Sequence, residues 1–313
     1  MGLATLPSCH ADRSSPSDTA VPAHSAVPTA TPSIASSLAK APEVPSAGAS
    51  LDVAAKASVP VDAGAPVVAA SKARREGCRS GMVRVEGEYC PAVVEVCLEL
   101  HPEYQNRGDR TVSERCLRYE RPSRCVSKTR QRLDFCMDEY EYPNVQGELP
   151  QVLTSWRQAV ATCEAQGKRL CTEDEFNFAC EGPEILPYVW GYDRAETTCN
   201  IDREYRFPDH SKSMLHYDKC LTDPWCSKEM ARLDQRERIG QRTTCVSWAG
   251  VHDLNGNVNE WVYLPKEKPP NRSGLKGGWW GPVRNRCRPT VTFHKEEDYG
   301  YEQGFRCCAD PMR

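Results

Sequence analysis

Cysteine is the residue type that most constrains what this chain can fold into. The sequence has 17 cysteines in 313 residues, and all except Cys9 lie between Cys78 and Cys308. No two are spaced C-x-x-C, which argues against a zinc knuckle and a thioredoxin-type redox pair. The even number that remains predicts eight disulfides, and therefore an oxidising compartment outside the cytoplasm. A cytosolic protein rich in free thiols is the less economical alternative.

The N-terminal segment has a different composition from the rest of the chain. Residues 10 to 73 contain no Phe, Trp or Tyr and consist mainly of Ala, Pro, Ser and Val. Such a segment cannot bury enough apolar surface to offset the entropy of ordering, so we predict a flexible tether over residues 1 to 77. Leu6-Pro7-Ser8-Cys9 is similar to a bacterial lipobox, which predicts a lipid anchor on Cys9 and a place in the cell envelope. A chance cysteine at a disordered end is the alternative.

Local signals place two helices and several short strands in residues 78 to 313. Ser155 with Gln158, and Thr172 with Glu175, have the spacing of capping boxes, and each pair is followed by apolar residues at helical intervals. Elsewhere Gly, Pro, Asn and Asp divide the chain into short strand-like pieces such as residues 82–85 and 261–263. This pattern predicts a single α+β domain with long irregular loops.

Six ordered blocks of sequence resemble the sulfatase-modifying-factor domain, the family of the formylglycine-generating enzyme. They begin with Gly81-Met82-Val83-Arg84-Val85, Phe135-Cys136-Met137-Asp138-Glu139-Tyr140-Glu141 and Gly167-Lys168-Arg169-Leu170-Cys171-Thr172-Glu173. The later blocks are Gly250 to Trp261, Lys276-Gly277-Gly278-Trp279-Trp280 and Gly304-Phe305-Arg306-Cys307. The resemblance implies a C-type-lectin-like α+β fold, into which residues 91 to 134 are inserted as a disulfide-pinned segment.

One gap inside the resemblance concerns the reaction. In the oxidases of this family, two cysteines that bind copper and activate oxygen lie between the Gly-Gly pair and an Arg-x-Arg-Cys segment. Here Gly278 runs to Arg284 without a cysteine, and no Ser or Asn can replace a thiolate as ligand and reacting group. Copper is therefore not expected. Iron is not expected either, because the seven histidines form no HExxH motif or other close ligand pair.

The resemblance also implies disulfide pairs. The cysteine in the middle of the family's first helix corresponds to Cys163, and its partner to Cys307. The cysteine that ends the second helix corresponds to Cys180, and its partner to Cys287. Cys171 and Cys308 are additional cysteines, each beside one of these bridges, so we expect a third bridge between them.

A calcium site is the second expectation that the resemblance carries. Asp253, Asn255, Asn257, Asn259 and Glu260 place many hard oxygen donors in one short loop, which is the donor type that calcium needs. The resemblance implies backbone ligation by Asn255, Gly256 and Val258 and a carboxylate ligand from Glu260. A second site would begin at Asn200-Ile201. The alternative is an Asx-rich turn stabilised by its own side chains.

The Trp279-Trp280 pair lies where the family binds its substrate peptide. Adjacent residues on a strand point to opposite faces, so one ring can fill the core while the other lines a groove. We expect Trp280 and Arg284 to face a ligand, and Trp279 and Arg286 to be buried or paired. The sequence thus predicts a non-catalytic extracytoplasmic protein that binds a peptide, a glycan or an envelope protein. A metal-dependent oxidoreductase, of the formylglycine-generating or sulfoxide-synthase type with a relocated metal site, is the alternative.

Nucleic acid is not expected as a partner. The most arginine-rich stretch, residues 232 to 238, alternates basic and acidic side chains, so much of its positive charge is cancelled.

Overall fold

The computed structural model describes residues 74–102, 115–209 and 222–312. Cys9 and the predicted tether before residue 74 lie outside these ranges. The helices in the described part of the chain are α1 (Trp156–Ala165), α2 (Glu173–Glu181) and α3 (Pro224–Leu233). The strands are β1 (Met82–Tyr89), β2 (Val93–Val94), β3 (Cys97–Leu100), β4 (Cys116–Tyr119), β5 (Arg124–Cys125), β6 (Gln131–Asp138), β7 (Arg169–Leu170), β8 (Asn259–Tyr263), β9 (Ser273–Lys276), β10 (Gln303–Phe305) and β11 (Cys307–Ala309). The predicted α+β class is confirmed.

Two sheets form the centre of the fold. The first has the order β1-β6-β11-β7, and each of its neighbouring pairs is antiparallel. The second has the order β10-β8-β9, with β10 parallel and β9 antiparallel to β8. Because β10 and β11 are separated by Arg306 alone, the chain passes directly from one sheet to the other at that residue.

Both predicted capping boxes are present. The Ser155 and Thr172 hydroxyls accept from the backbone N–H three residues later, and the Gln158 and Glu175 side chains accept from the cap N–H in return. These bonds satisfy N–H groups that the first turn of a helix leaves without partners. Both helices therefore begin where the sequence places them.

The helices pack their apolar faces onto the two sheets. Phe176 and Phe178 of α2 lie in the largest core cluster with Val83, Val85 and Phe135 of the first sheet. Trp156 of α1 packs in a second cluster with Trp261 and Phe305. Its indole nitrogen donates to the Val262 carbonyl at 2.9 Å, so α1 is fixed to the strand that passes the candidate site.

Disulfides connect the helices with the C-terminal strands. The structure joins Cys163 to Cys307, Cys180 to Cys287 and Cys171 to Cys308, the same three pairs that we expected. Cys163 and Cys307 are 144 residues apart in sequence. A loop of that length corresponds to about 4 to 5 kcal/mol in the chain-entropy model, before any strain is subtracted.

Further bridges hold the remaining described segments. They are Cys78–Cys136, Cys90–Cys125, Cys97–Cys116 and Cys199–Cys245. Cys90–Cys125 and Cys97–Cys116 pin the segment predicted as an insertion, where β2 pairs with β5 and β3 with β4. None of the helices within the described ranges is long and apolar enough to cross a membrane.

Candidate functional site

A cavity of about 690 Å³ lies beside the second sheet. We call it the Trp279 cavity. Its wall includes Asn259 of β8 and Leu275 of β9, both buried. The rest of its lining comes from Arg115 and from three further parts of the chain: residues 202–207, 279–284 and 293–302.

The segment after β9 is shaped by backbone conformations that most residues avoid. Gly277 and Gly278 have φ of +78° and +75°, and a Cβ on Gly278 would lie 2.8 Å from the Arg284 carbonyl carbon. Arg284 has φ of +63°, which is uncommon for a residue with a side chain. The Asn285 side chain closes this turn by donating to the Trp279 carbonyl at 2.5 Å. The turn therefore holds Trp279 and Arg284 beside the same cavity.

Aromatic rings form one side of the cavity. The Tyr205 ring is 4.6 Å from that of Phe207 and 6.0 Å from that of Trp279, measured between centroids. The Trp279 ring is in turn 5.8 Å from that of Tyr301. Phe207 is 78% exposed and Phe293 is 63% exposed, which is unusual for large apolar side chains unless something covers them.

The expected roles of the two tryptophans are reversed. Trp280, predicted to face a ligand, is fully buried in a cluster with Leu233 and Val258. Trp279, predicted to be buried, is half-buried and lines the cavity. Both residues follow the end of β9, so strand alternation does not apply to them, and their rings meet edge to face with centroids 5.3 Å apart. Trp280 is the buried ring because Leu233 and Val258 pack in its cluster.

The two nearby arginines differ in their contacts. Arg286 donates to the Glu95 carboxylate at 2.6 Å, so its charge is balanced within the protein. Arg284 lines the cavity, and its guanidinium lies over the Phe293 ring at 5.6 Å. Within the described part of the chain, Arg284 forms no ion pair and donates no side-chain hydrogen bond. Burial lowers the pKa of Arg284 from its usual value.

Glu302 is the carboxyl group in the cavity lining whose charge acts on Arg284. Burial raises the pKa of Glu302 to about 7, while the Arg284 charge acts in the opposite direction. His294 also lines the cavity, and its Nδ1 is 3.6 Å from the Asp298 carboxylate. Burial lowers the pKa of His294 from its usual 6.5, which favours the neutral imidazole.

The fit of the Glu260 loop to calcium can be judged from the partners of its donors. Both Glu260 carboxylate oxygens accept from the Arg306 guanidinium at 2.6 Å, and both side chains are buried. The carboxylate expected to bind calcium is therefore already neutralised by a side chain. As placed, this loop does not form a calcium cage.

The second expected calcium site is also occupied by internal contacts. The Asn200 side-chain oxygen accepts from Arg203 at 2.9 Å, and its carbonyl accepts from the Asn257 N–H at 2.9 Å. That carbonyl would lie 2.3 Å from a Cβ on Gly256, so the glycine permits a direct contact between the two expected sites. Ile201 is buried in the core. Among the described residues, no group of three or more His, Cys, Asp or Glu side chains could hold a metal ion.

Most of the aromatic lining was missed by reasoning from the sequence. Tyr205, Phe207, Phe293 and Tyr301 were not identified, and neither was Glu302. The one local signal was Tyr205-Arg206-Phe207, where two aromatic residues alternate with a charged one outside any strand.

Fold and cavity together define a disulfide-rich α+β domain with an aromatic ligand-sized cavity beside its central strand. Residues 111–311 match the model of the sulfatase-modifying factor enzyme 1-like domain. The chain belongs to this family.

Curated relatives cover part of the chain. The mouse (Mus musculus) protein named inactive C-alpha-formylglycine-generating enzyme 2 is 29% identical over 176 residues, which are 53% of this chain and 51% of the relative. Its cattle (Bos taurus) counterpart is 28% identical over 174 residues, 53% of this chain and 52% of the relative. The chain thus spans about half the length of these proteins. Among solved structures, CarF is similar over 74% of this chain and 98% of its own, with 14% identity and a TM-score of 0.45.

Proposed function

We propose that this protein is a non-catalytic, extracytoplasmic binding protein that takes up a peptide, glycan or protein partner in the Trp279 cavity. The observation that carries the proposal is the course of residues 278–286. This segment contains no cysteine, and it places Trp279 and Arg284 beside a cavity instead. A cavity with an aromatic wall and a few polar groups is typical of ligand binding.

Two further observations support the proposal. The relatives described above are named as inactive members of the formylglycine-generating group, and the same property in this chain would agree with its missing cysteine pair. The disulfides agree with an oxidising compartment, since such bonds persist there. We propose in addition that Cys9 carries the lipid that anchors the protein in a bacterial envelope.

The catalytic half of the proposal is tested with a sulfatase-type peptide that contains the target cysteine. Purified full-length protein, supplied with copper and oxygen, should leave the cysteine unchanged, because the residues between Gly278 and Arg284 offer no thiolate to the metal. Mass spectrometry and an aldehyde-reactive probe measure the product. Formation of the aldehyde would overturn this half of the proposal.

The binding half is tested with immobilised peptide and glycan libraries presented to the same protein. Ligands retained by wild type should be lost or weakened at least about 10-fold by Trp279→Ala, since aromatic anchors in a binding site commonly contribute this much. Trp225→Ala is the matched control, because Trp225 is 63% exposed and does not line the cavity. Equal weakening by both variants, or no retained ligand at all, would contradict the proposal.

A further inference from the structure

We infer that the ligand of the Trp279 cavity is a sugar acid, whose carboxylate pairs with Arg284 while its ring packs on the aromatic wall. This inference rests on the proposed function and narrows it to one class of ligand. Three observations support it: Arg284 has no ion pair with a described residue, the cavity wall is aromatic, and the strands beside the cavity are already paired.

Arg284 is the arginine in the cavity lining whose charge is not balanced by an ion pair with a described residue. Arg115 donates to Asp202 at 2.9 Å, and Arg203 pairs with Glu237 and donates to Asn200. Arg284 contacts the Phe293 ring and forms no ion pair with a described residue. A planar guanidinium beside a ring keeps its fork of N–H donors available, and that fork matches the two oxygens of a carboxylate.

The backbone conformation of Arg284 also supports a role in ligand binding. A residue with a side chain in the left-handed region costs free energy, and such conformations persist where the surrounding structure determines them. Here the Asn285 side chain accepts from Arg194 at 2.8 Å and donates to the Trp279 carbonyl, and these two bonds fix the turn. The fold thus maintains a strained position that presents a cation to the cavity.

The aromatic part of the cavity wall suits a sugar ring. Trp279 and Tyr205 offer apolar ring faces with polar edges, which pack against the C–H face of a sugar. The hydroxyl groups of a sugar need both donors and acceptors nearby. His294, Glu204 and Glu302 line the same cavity and supply both kinds of group.

The neighbouring strands do not offer an extended peptide its usual mode of binding. Peptides that add to a sheet depend on the unpaired backbone groups of an edge strand. Of the strands beside the cavity, β8 is paired on both sides, with β10 and β9. On β9, Leu275 exchanges two backbone hydrogen bonds of 3.0 Å with Val291 on its outer side. A sugar requires no such edge.

The inference is tested by calorimetry on the purified full-length protein with pairs of ligands that differ in one charge. The panel contains oligogalacturonates, oligoglucuronates and sialylated trisaccharides, each measured beside its methyl ester. At least one free acid should bind about 10 to 100 times more tightly than its ester, the range expected for hydrogen bonds to a charged group.

Variants identify the residue responsible. Arg284→Asn removes the charge with a residue that tolerates the left-handed backbone, so the fold should be retained and acid and ester should bind equally. Arg284→Lys should recover part of the difference, because it restores the charge without the fork. Arg124→Asn is the control: Arg124 is exposed and lies outside the cavity lining.

Each other outcome has a distinct meaning. If acids and esters bind equally and Trp279→Ala removes both, the proposed binding function stands and the sugar-acid inference is wrong. If Asp- and Glu-containing peptides bind through Arg284 while no sugar acid binds, the ligand is a peptide and the inference is again wrong. If neither the panel nor the peptides bind, the inference and the proposed function both fail.

Discussion

At the scale of single residues, the charge of Glu302 should regulate the cavity. Its pKa is raised to about 7, so the carboxyl is largely neutral below pH 6 and ionised above pH 8. Once ionised, it attracts Arg284 and repels the carboxylate of a ligand. We therefore expect the affinity for an acidic ligand to fall as pH rises through about 7, and Glu302→Gln to remove this fall.

A further titratable group in the cavity lining, His294, allows a control. The pKa of His294 is lowered from 6.5, so its protonation strengthens anion binding only at more acidic pH. His294→Gln should therefore preserve the change near pH 7 while removing a change at more acidic pH. Calorimetric titrations between pH 5 and pH 9 measure both effects. A change near pH 7 that persists in Glu302→Gln would contradict this assignment.

Individual residues also show which features of the site cannot be predicted from the sequence. Strand alternation predicts that Trp279 and Trp280 face different sides, but both residues follow the end of β9, and their ring centroids are 5.3 Å apart. Which of the two rings is buried is decided by Leu233 and Val258, which come from distant parts of the chain. For Arg286, the partner Glu95 lies in the inserted segment, so the pairing was expected but its partner was not.

At the scale of elements, features that depend on residues close in sequence could be predicted. Features that are assembled from distant segments could not. The capping boxes of α1 and α2 depend on residues three apart, and both were predicted with their starts. The aromatic wall joins residues near 205, 279 and 301, which no local pattern connects. The fold class and the starts of α1 and α2 could thus be predicted, whereas the aromatic wall of the cavity could not.

The junction of β10 and β11 gives a prediction about calcium. Arg306 lies between β10 and β11 and pairs with Glu260 of β8, so a buried ion pair holds the junction of the two sheets against the second sheet. The sequence expectation and this geometry give opposite outcomes. Calcium ligation by Glu260 predicts a melting temperature several degrees higher in calcium than in chelator, whereas the ion pair predicts no difference.

We expect the outcome given by the ion pair. Glu260→Gln should then lower the melting temperature by the same amount in both buffers, because it leaves the buried Arg306 without its partner. Breaking a buried pair in this way costs on the order of 3 to 5 kcal/mol. Scanning calorimetry with millimolar calcium and with chelator measures the difference. A wild-type increase in calcium that Glu260→Gln abolishes would instead support the calcium expectation.

At the scale of the whole molecule, the buried charge near Arg306 should make stability depend on pH. Asp253 and Glu141 are buried close enough to Glu260 and to each other that their charges interact. Arg306 is the cation that offsets them, and it is already paired with Glu260. Burial therefore raises the pKa of Asp253 from its usual 3.8 to about 7.

The sign of the effect follows from proton uptake. Between pH 3.8 and about 7, the folded protein holds the Asp253 proton more tightly than the unfolded chain does. Rising pH therefore lowers the free energy of unfolding across this window, by an amount on the order of 1 to 4 kcal/mol.

Asp253→Asn keeps the side chain neutral at every pH, and Asn accepts the left-handed backbone at this position, where φ is +59°. The variant and wild type should differ least at the acidic end of this window, and the advantage of the variant should grow up to pH 8, by about 2 to 4 °C for each kcal/mol. Glu148→Gln is the control, because Glu148 is exposed and its removal should leave the pH profile unchanged. If the two melting temperatures differ by the same amount at pH 4.5 and pH 8.5, Asp253 does not hold its proton in the folded state, and the buried charge is offset by some other means.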